Sequence, residues 1–153
     1  MSIRLDVPLV KQQRPYSCWY AVTCMVSYFH YPGPRMGVPE VWAKANTIGI
    51  NDDELVQLAA NEGFKKILPT THWSSGSLNA VLCAYGPIWC AGYWFGPAHA
   101  IALTGVDGSS VYFNDPAEPK RKSESIEWFN NKLLKTINHS MMYKAKISAG
   151  GKY

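Results

Sequence analysis

The sequence predicts an α+β fold in a single domain, in which helices come first and a mostly antiparallel β-sheet follows. Three observations support this prediction. The chain has 153 residues, a usual length for one domain with its own core, and shows no repeat or low-complexity linker. Apolar helical segments dominate its first half, and runs of β-branched and aromatic residues dominate its second half. We place the domain at residues 1–147 and interpret residues 148–153, SAGGKY, as a loose tail.

The composition excludes several classes of protein. Apolar residues make up 47% of the chain and charged residues 17%, which indicates a folded protein and not a disordered one. The net charge of +4 is mild and the basic residues are scattered, so we expect no nucleic-acid partner. No apolar run approaches the roughly 18 residues of a membrane span. The start, MSIRLDVPLVKQQRP, lacks the apolar stretch of a secretory signal. We therefore expect synthesis in the cytoplasm and no membrane partner.

Four cysteines offer possible chemistry: Cys18, Cys24, Cys83 and Cys90. In a reducing compartment they are expected to be free thiols. Their spacing does not match the short paired spacing of structural zinc sites, and the histidines lie far from them in sequence. We therefore predict neither a metal nor another cofactor.

Helix signals are clearest around the first cysteine. Ser17 is predicted to cap a nearly all-apolar helix, which YPGP at residues 31–34 ends because proline and glycine cannot continue it. Asn51 and Gly63 are predicted to begin and end a later helix. The predicted helices cover residues 17–30, 39–45, 52–61, 75–85 and 125–137.

Strand signals dominate from residue 87 onward. The predicted strands cover residues 64–68, 87–95, 99–106, 110–115 and 141–147. The last of these carries alternating lysines, which predicts an edge strand.

A nucleophile and a base stand out among these elements. Cys18 lies at the start of the apolar helix, where the positive end of the helix dipole favours a thiolate. His99 opens an otherwise apolar strand, a position that suits a general base. Gln12 lies six residues before the cysteine, and its amide is predicted to share an oxyanion pocket with the Cys18 N–H.

The turn between two strands suggests a third catalytic side chain. If the loop near Gly108 has three residues, Asp115 lies on the same sheet face as His99, directly opposite or one diagonal away, within reach of its Nδ1. If the loop is the two-residue Asp107-Gly108 turn, Asn114 takes that face instead. Either side chain can orient an imidazole, so the residues alone leave both open.

Each of these residues also has a structural explanation. Cys18 alone is typical of an inert core cysteine, and His99 alone is typical of a hydrogen-bonded core histidine. Trp19, Trp94, Phe95 and Pro97 are predicted to wall a narrow cleft beside the cysteine, yet the same rings also fit a hydrophobic core. Only the combination and its order favour a catalytic site.

The segment QQRPYSCWYA resembles the nucleophile segment of papain-like cysteine proteases, including the Cys-Trp pair and the preceding glutamine. HAIALTGVDGSSVYFNDP resembles the histidine strand and Asp-Pro hairpin of the bacterial branch. That branch includes double-glycine leader peptidases, avirulence proteases and antibacterial effector toxins. The resemblance implies a papain-like two-lobed fold, with Cys18 as nucleophile, His99 as base and acid, and Gln12 as oxyanion donor. It favours Asp115 over Asn114 as the orienting residue.

The resemblance also implies a function. We expect a cysteine endopeptidase that cleaves a target-cell protein at a glycine-rich, Gly-Gly-like site. Because no transporter domain follows, we expect a free-standing, monomeric effector toxin, delivered by a signal-independent route and neutralised by an immunity protein. One alternative is another acyl-transfer enzyme on the same fold: a peptidoglycan amidase, glutamine deamidase or transglutaminase. A second alternative is an inactive papain-like binding module.

Overall fold

A seven-stranded antiparallel sheet organises the protein, as shown by a computed structural model that describes residues 2–68, 70 and 72–145. The elements are β1 Ser2–Arg4, α1 Cys18–His30, α2 Pro39–Ala43, α3 Asp52–Glu62, β2 Phe64–Lys66, α4 Ser75–Tyr85, β3 Ile88–Gly92, β4 His99–Asp107, β5 Ser110–Asp115, β6 Lys120–Ser125, α5 Ile126–Lys132 and β7 Met141–Lys144. The strand order is β2-β7-β3-β4-β5-β6, and β1 pairs with the end of β4. The predicted α+β class with an antiparallel sheet is confirmed.

Both faces of the sheet are buried under helices. On β4, Ala100 and Ala102 belong to the core cluster that contains α1 and α3 residues, whereas Ile101 and Leu103 belong to the cluster of α4 and α5 residues. Side chains of a strand alternate between its faces, so the central strands β3, β4 and β7 contribute to both clusters. The alanines leave room for the bulky α1 face, which packs against β4.

Helix α1 forms as predicted but begins differently. Its Trp19, Val22 and Met25 are completely buried, which explains the almost unbroken apolar sequence. Ser17 occupies the N-cap position, yet its hydroxyl does not cap the helix. Instead, Ser17 Oγ accepts a hydrogen bond from the Arg14 N–H and donates one to the Arg14 carbonyl. The hydroxyl therefore fixes the turn that leads into Cys18.

The predicted caps of α3 are confirmed. The Asn51 side chain accepts from the Glu54 N–H while the Glu54 carboxylate accepts from the Asn51 N–H, and Gly63 ends the helix with a φ of 67°. No helix among the described residues is both long and apolar enough to span a bilayer.

Two expectations about the last third of the chain are wrong. Helix α5 stops at Lys132 because Leu133 turns extended and Leu133 then bridges to Gly92. Strand β7 is not an edge strand, since it lies between β2 and β3. Its Lys144 is buried and donates to the Glu62 carbonyl, so this lysine is not an exposed edge charge.

Two strands were not predicted. Strand β6 forms the actual edge beside β5, although its sequence, KRKSES, has no apolar alternation. Strand β1 is short and pairs with the end of β4. Residues 148–153, interpreted above as a tail, lie outside the described residues.

The β4–β5 hairpin decides which side chain accompanies His99. Asp107 pairs with Ser110, so the loop is the two-residue Gly108-Ser109 turn, which differs from both predicted loops. Gly108 has a φ of 58°, a conformation that glycine adopts without strain. The register then shifts between Leu103 and Gly105.

This register shift changes which residues of β5 share a sheet face with His99. Before the shift, Val106 pairs with Val111, and beyond it Ala102 pairs with Asn114. Continuing that register makes Asp115 a diagonal neighbour of His99 on the same face. A regular hairpin without the extra residue would have placed Asn114 on that face.

We predict that Gly105→Ala destabilises the protein. Gly105 pairs with Arg4 of β1, and a Cβ on it would lie 2.6 Å from the Ile3 carbonyl oxygen, so the strands must separate. We expect a loss of about 2 kcal/mol in unfolding free energy, measured by urea denaturation. Gly49→Ala is the matched control, since a Cβ there meets nothing within 4 Å. Equal stability of the two variants would contradict the prediction.

Candidate active site

Cys18 is the first residue of α1, is partly exposed and lines a cleft. The turn that the Ser17 hydroxyl stabilises leads directly into the helix. The Ser17 carbonyl accepts hydrogen bonds from the Tyr20 and Ala21 N–H groups. The sulfur therefore lies at the positive end of a buried helix, which favours a negative charge there.

His99 meets this cysteine from the start of β4. Its Nε2 lies 2.8 Å from Asp115 Oδ1, and Cys18 is close enough to the ring to contribute to its raised pKa. The sequence-based expectation that Nδ1 faces the carboxylate is therefore wrong. With Nε2 on Asp115, Nδ1 is the other hydrogen-bonding atom of the ring. The imidazole thus connects the helix to the sheet.

The site's electrostatics favour a charged imidazole. Burial favours the neutral ring, but hydrogen bonds and attraction from Asp115 and Cys18 prevail and raise the pKa of His99 to about 9. Burial would likewise raise the pKa of Asp115, yet hydrogen bonds from His99 and Lys122 lower it to about 2. At neutral pH the structure therefore holds an imidazolium against a carboxylate.

Asp115 is 1% exposed, and both of its carboxylate oxygens accept hydrogen bonds. Besides His99, its Oδ1 accepts from the Ala117 N–H at 3.0 Å and its Oδ2 from Lys122 Nζ at 2.8 Å. The neighbouring Asn114 points elsewhere and donates to the Val7 carbonyl. Of the two candidates for the orienting group, the structure places Asp115 against the ring.

Gln12 also lines the cleft, and its backbone N–H donates to the Pro116 carbonyl at 3.0 Å. This bond joins the segment before Cys18 to the turn after Asp115. The Gln12 amide Nε2 donates to the Arg14 and Pro15 carbonyls. Its Oε1 is buried and has no partner among the described residues. An oxyanion role for this amide requires one of its N–H groups to turn toward Cys18.

The cleft has a volume of about 850 Å³ and contains Cys18, His99 and Asp115. Trp19 borders it from the core, while Phe95 is 48% exposed on its wall with Pro97 close by. The cleft is also lined by residues 44–55, at and before the start of α3, and by the segment after α5. These contribute apolar side chains, namely Ile48, Ile50, Leu55, Leu134 and Ile137, together with the polar or charged Lys44, Asn51, Asp52 and Glu54.

Trp94 does not line this cleft. It is 1% exposed and stacks on Phe129 within the core cluster of α4 and α5. Its indole N–H donates to the Cys90 carbonyl at 3.4 Å. The expectation that Trp94 walls the cleft is therefore wrong, whereas Trp19 and Phe95 do border it.

Lys122 is the site residue that sequence reasoning missed. Nothing in KRKSES marks one lysine above its neighbours, and β6 itself was not predicted. Pairing of Lys122 with Phe113 places its ammonium beside Asp115 and 4.5 Å from the centre of the Phe95 ring.

The other thiols differ from Cys18. Cys24 and Cys90 are buried, and burial raises the pKa of both; Cys83 is exposed. Within the described part of the chain, no three His, Cys, Asp or Glu side chains lie close enough to hold a metal ion.

Comparisons with known proteins agree with this geometry. The profile of a family described as papain-like cysteine protease AvrRpt2 matches residues 1–134. The fold is similar to that of a solved structure described as a double glycine motif protease from an AMS/PCAT transporter in complex with the leader peptide. The two chains are 19% identical, with a TM-score of 0.57 over 92% of this chain and 91% of that chain. The chain belongs to the AvrRpt2 family and is a papain-like cysteine protease.

Proposed function

We propose that the protein is an endopeptidase that works through a triad of Cys18, His99 and Asp115. The observation that carries this proposal is a single imidazole that hydrogen-bonds the Asp115 carboxylate and shares one cleft with Cys18, which acts on its pKa. A nucleophile, a base and an orienting group in contact are what acyl transfer requires.

The proposed reaction proceeds by covalent catalysis. The Cys18 thiolate, paired with the His99 imidazolium, attacks the peptide carbonyl and forms a tetrahedral oxyanion. Collapse of this intermediate breaks the C–N bond while His99 gives its proton to the leaving amine. Neutral His99 then takes a proton from water, whose oxygen attacks the thioester and releases the carboxylic acid and the thiolate.

Two donors are proposed for the oxyanion. The Cys18 N–H lies in the first turn of α1, where backbone N–H groups have no partner within the helix. The Gln12 side chain lines the same cleft, and turning its amide away from the Arg14 carbonyl supplies a second donor. Loss of one such donor in other enzymes costs about 3 kcal/mol.

We propose a Gly-Gly-like cleavage site. The support is that Phe95 and Pro97 lie beside His99 in the cleft, with the Phe95 ring centroid 6.1 Å from that of His99, where they would disfavour bulky side chains next to the scissile bond. The similar solved structure is a double glycine motif protease, which is consistent with this preference.

We further propose that the protein acts as a bacterial effector toxin in the target-cell cytoplasm after signal-independent delivery. Its producer then needs a cognate immunity protein that occludes the Cys18 cleft. The family match over residues 1–134 supports this proposal, together with the resemblance to a branch of proteases that includes effector toxins. A structure of the complex with the immunity protein in which the Cys18 cleft is open would contradict the proposed occlusion.

We predict that Cys18→Ala abolishes toxicity and cleavage when the protein is expressed in a sensitive bacterium. The loss of peptidase activity is expected to exceed ~10³-fold, since no other group replaces the sulfur. The measurement compares new protein N-termini by mass spectrometry and thereby identifies both target and cleavage motif. Cys83→Ala, which removes an exposed thiol, is the matched control and is expected to behave as the wild type.

Other outcomes of this experiment identify the alternatives. Unchanged toxicity of Cys18→Ala would indicate a binding module. Conversion of glutamine to glutamate without new N-termini would indicate a deamidase, and toxicity only after periplasmic targeting would indicate a peptidoglycan amidase. New N-termini away from Gly-Gly-like sites would contradict the proposed specificity.

We predict that kcat/KM falls as pH rises through about 9, where His99 loses the proton that the leaving amine needs. Asp115→Asn removes the negative charge that stabilises the imidazolium. The alkaline limb of the pH profile is therefore expected to move about one to two units toward lower pH. Asp107→Asn, an exposed carboxylate on the same hairpin, is the control. An unmoved limb in Asp115→Asn would argue against ion pairing of His99 with Asp115.

A further inference from the structure

We propose that Lys122 is a positioning residue of the active site: it balances the charge of Asp115 and holds that carboxylate against His99. The proposal rests on the proposed Cys18–His99–Asp115 mechanism. The contact that carries it joins Lys122 Nζ to Asp115 Oδ2 at 2.8 Å, the oxygen that His99 does not use.

Burial distinguishes this contact from a surface ion pair. Asp115 is 1% exposed and the Lys122 side chain is 23% exposed, whereas Lys120 on the same strand is 67% exposed. Surface pairs contribute little to stability, but a buried carboxylate without its partners carries a large desolvation cost. Lys122 is therefore the β6 cation whose charge acts on the site.

Several groups hold the ammonium in place. Lys122 Nζ lies 3.4 Å from Glu118 Oε1 and 4.5 Å from the centre of the Phe95 ring. Partial burial favours the neutral amine, but the hydrogen bond to Asp115 outweighs it and raises the pKa of Lys122. The lysine therefore remains charged over the range in which the site operates.

The charged groups that act on His99 or on Lys122 come from several elements, and Lys44, Asp52 and Glu54 line the same cleft from α3 and the segment before it. Cys18 contributes from α1, Asp115 from β5, Lys122 from β6 and Glu118 from the turn between these strands. A carboxylate without Lys122 would raise the pKa of the imidazolium further and make it a weaker acid toward the leaving amine. With Lys122 attached, Asp115 keeps its hydrogen bond to the ring but presents less net negative charge.

The test measures the titration of the His99 ring by NMR and, separately, the kinetics of peptide cleavage. In Lys122→Met, loss of the nearby positive charge is expected to raise the His99 midpoint by about one unit. We expect kcat to fall about tenfold with KM changed less than twofold, because Lys122 acts through Asp115 and does not bind substrate. Lys122→Arg is expected to restore both properties. Lys120→Met is the matched control and is expected to change neither.

A double-mutant cycle separates this role from a merely structural one. If Lys122 acts through Asp115, then adding Lys122→Met to Asp115→Asn is expected to lower kcat no further. Additive losses would overturn the proposal, as would an unchanged or lowered His99 midpoint in Lys122→Met. Should Lys122→Met alone not fold, the double variant leaves no unpaired buried carboxylate and carries the test.

The titration requires no substrate. A shifted His99 midpoint without any detectable cleavage would count against the proposed peptidase function alone. Cleavage by the wild type with an unshifted midpoint in Lys122→Met would count against the role of Lys122 alone.

Discussion

The hydrogen bond between His99 and Asp115 is the interaction on which the whole site depends. It forms because β4 shifts its register between Leu103 and Gly105, which brings Asp115 to the sheet face of the imidazole. With a regular pairing, Asn114 would occupy this face. In the structure Asn114 lies on the other face, and its amide donates to the Val7 carbonyl. A local irregularity in one strand thus selects a carboxylate over an amide.

This choice has electrostatic consequences. A carboxylate stabilises the imidazolium more than an amide does, so Asp115 raises the pKa of His99 and His99 in turn lowers the pKa of Asp115. A buried carboxylate also needs further donors, which the Ala117 N–H and Lys122 supply. The charged edge strand β6 is therefore part of the site and more than a barrier against edge-to-edge aggregation.

The rest of the fold holds the first residues of α1 and β4 in fixed positions. Helix α1 is anchored by its buried apolar residues against the alanines of β4, so Cys18 and His99 approach from packed elements. The Gln12 N–H bond to the Pro116 carbonyl ties the segment before the nucleophile to the turn after the orienting residue. Such rigid support favours pre-organised catalysis.

The sequence by itself determined the local elements with strong signals: the apolar helix after Ser17, the capped helix after Asn51, and the strand opened by His99. Hydrophobic periodicity, helix capping and β propensity depend on residues close together in sequence, and they decide these elements. Its motifs also pointed to Cys18 and His99 as partners. Tertiary structure alone decided the rest, because register, strand order and burial depend on residues far apart in sequence. The tertiary structure placed β7 inside the sheet and Trp94 in the core. It also placed Asp115, not Asn114, beside the His99 ring and Lys122 against the Asp115 carboxylate.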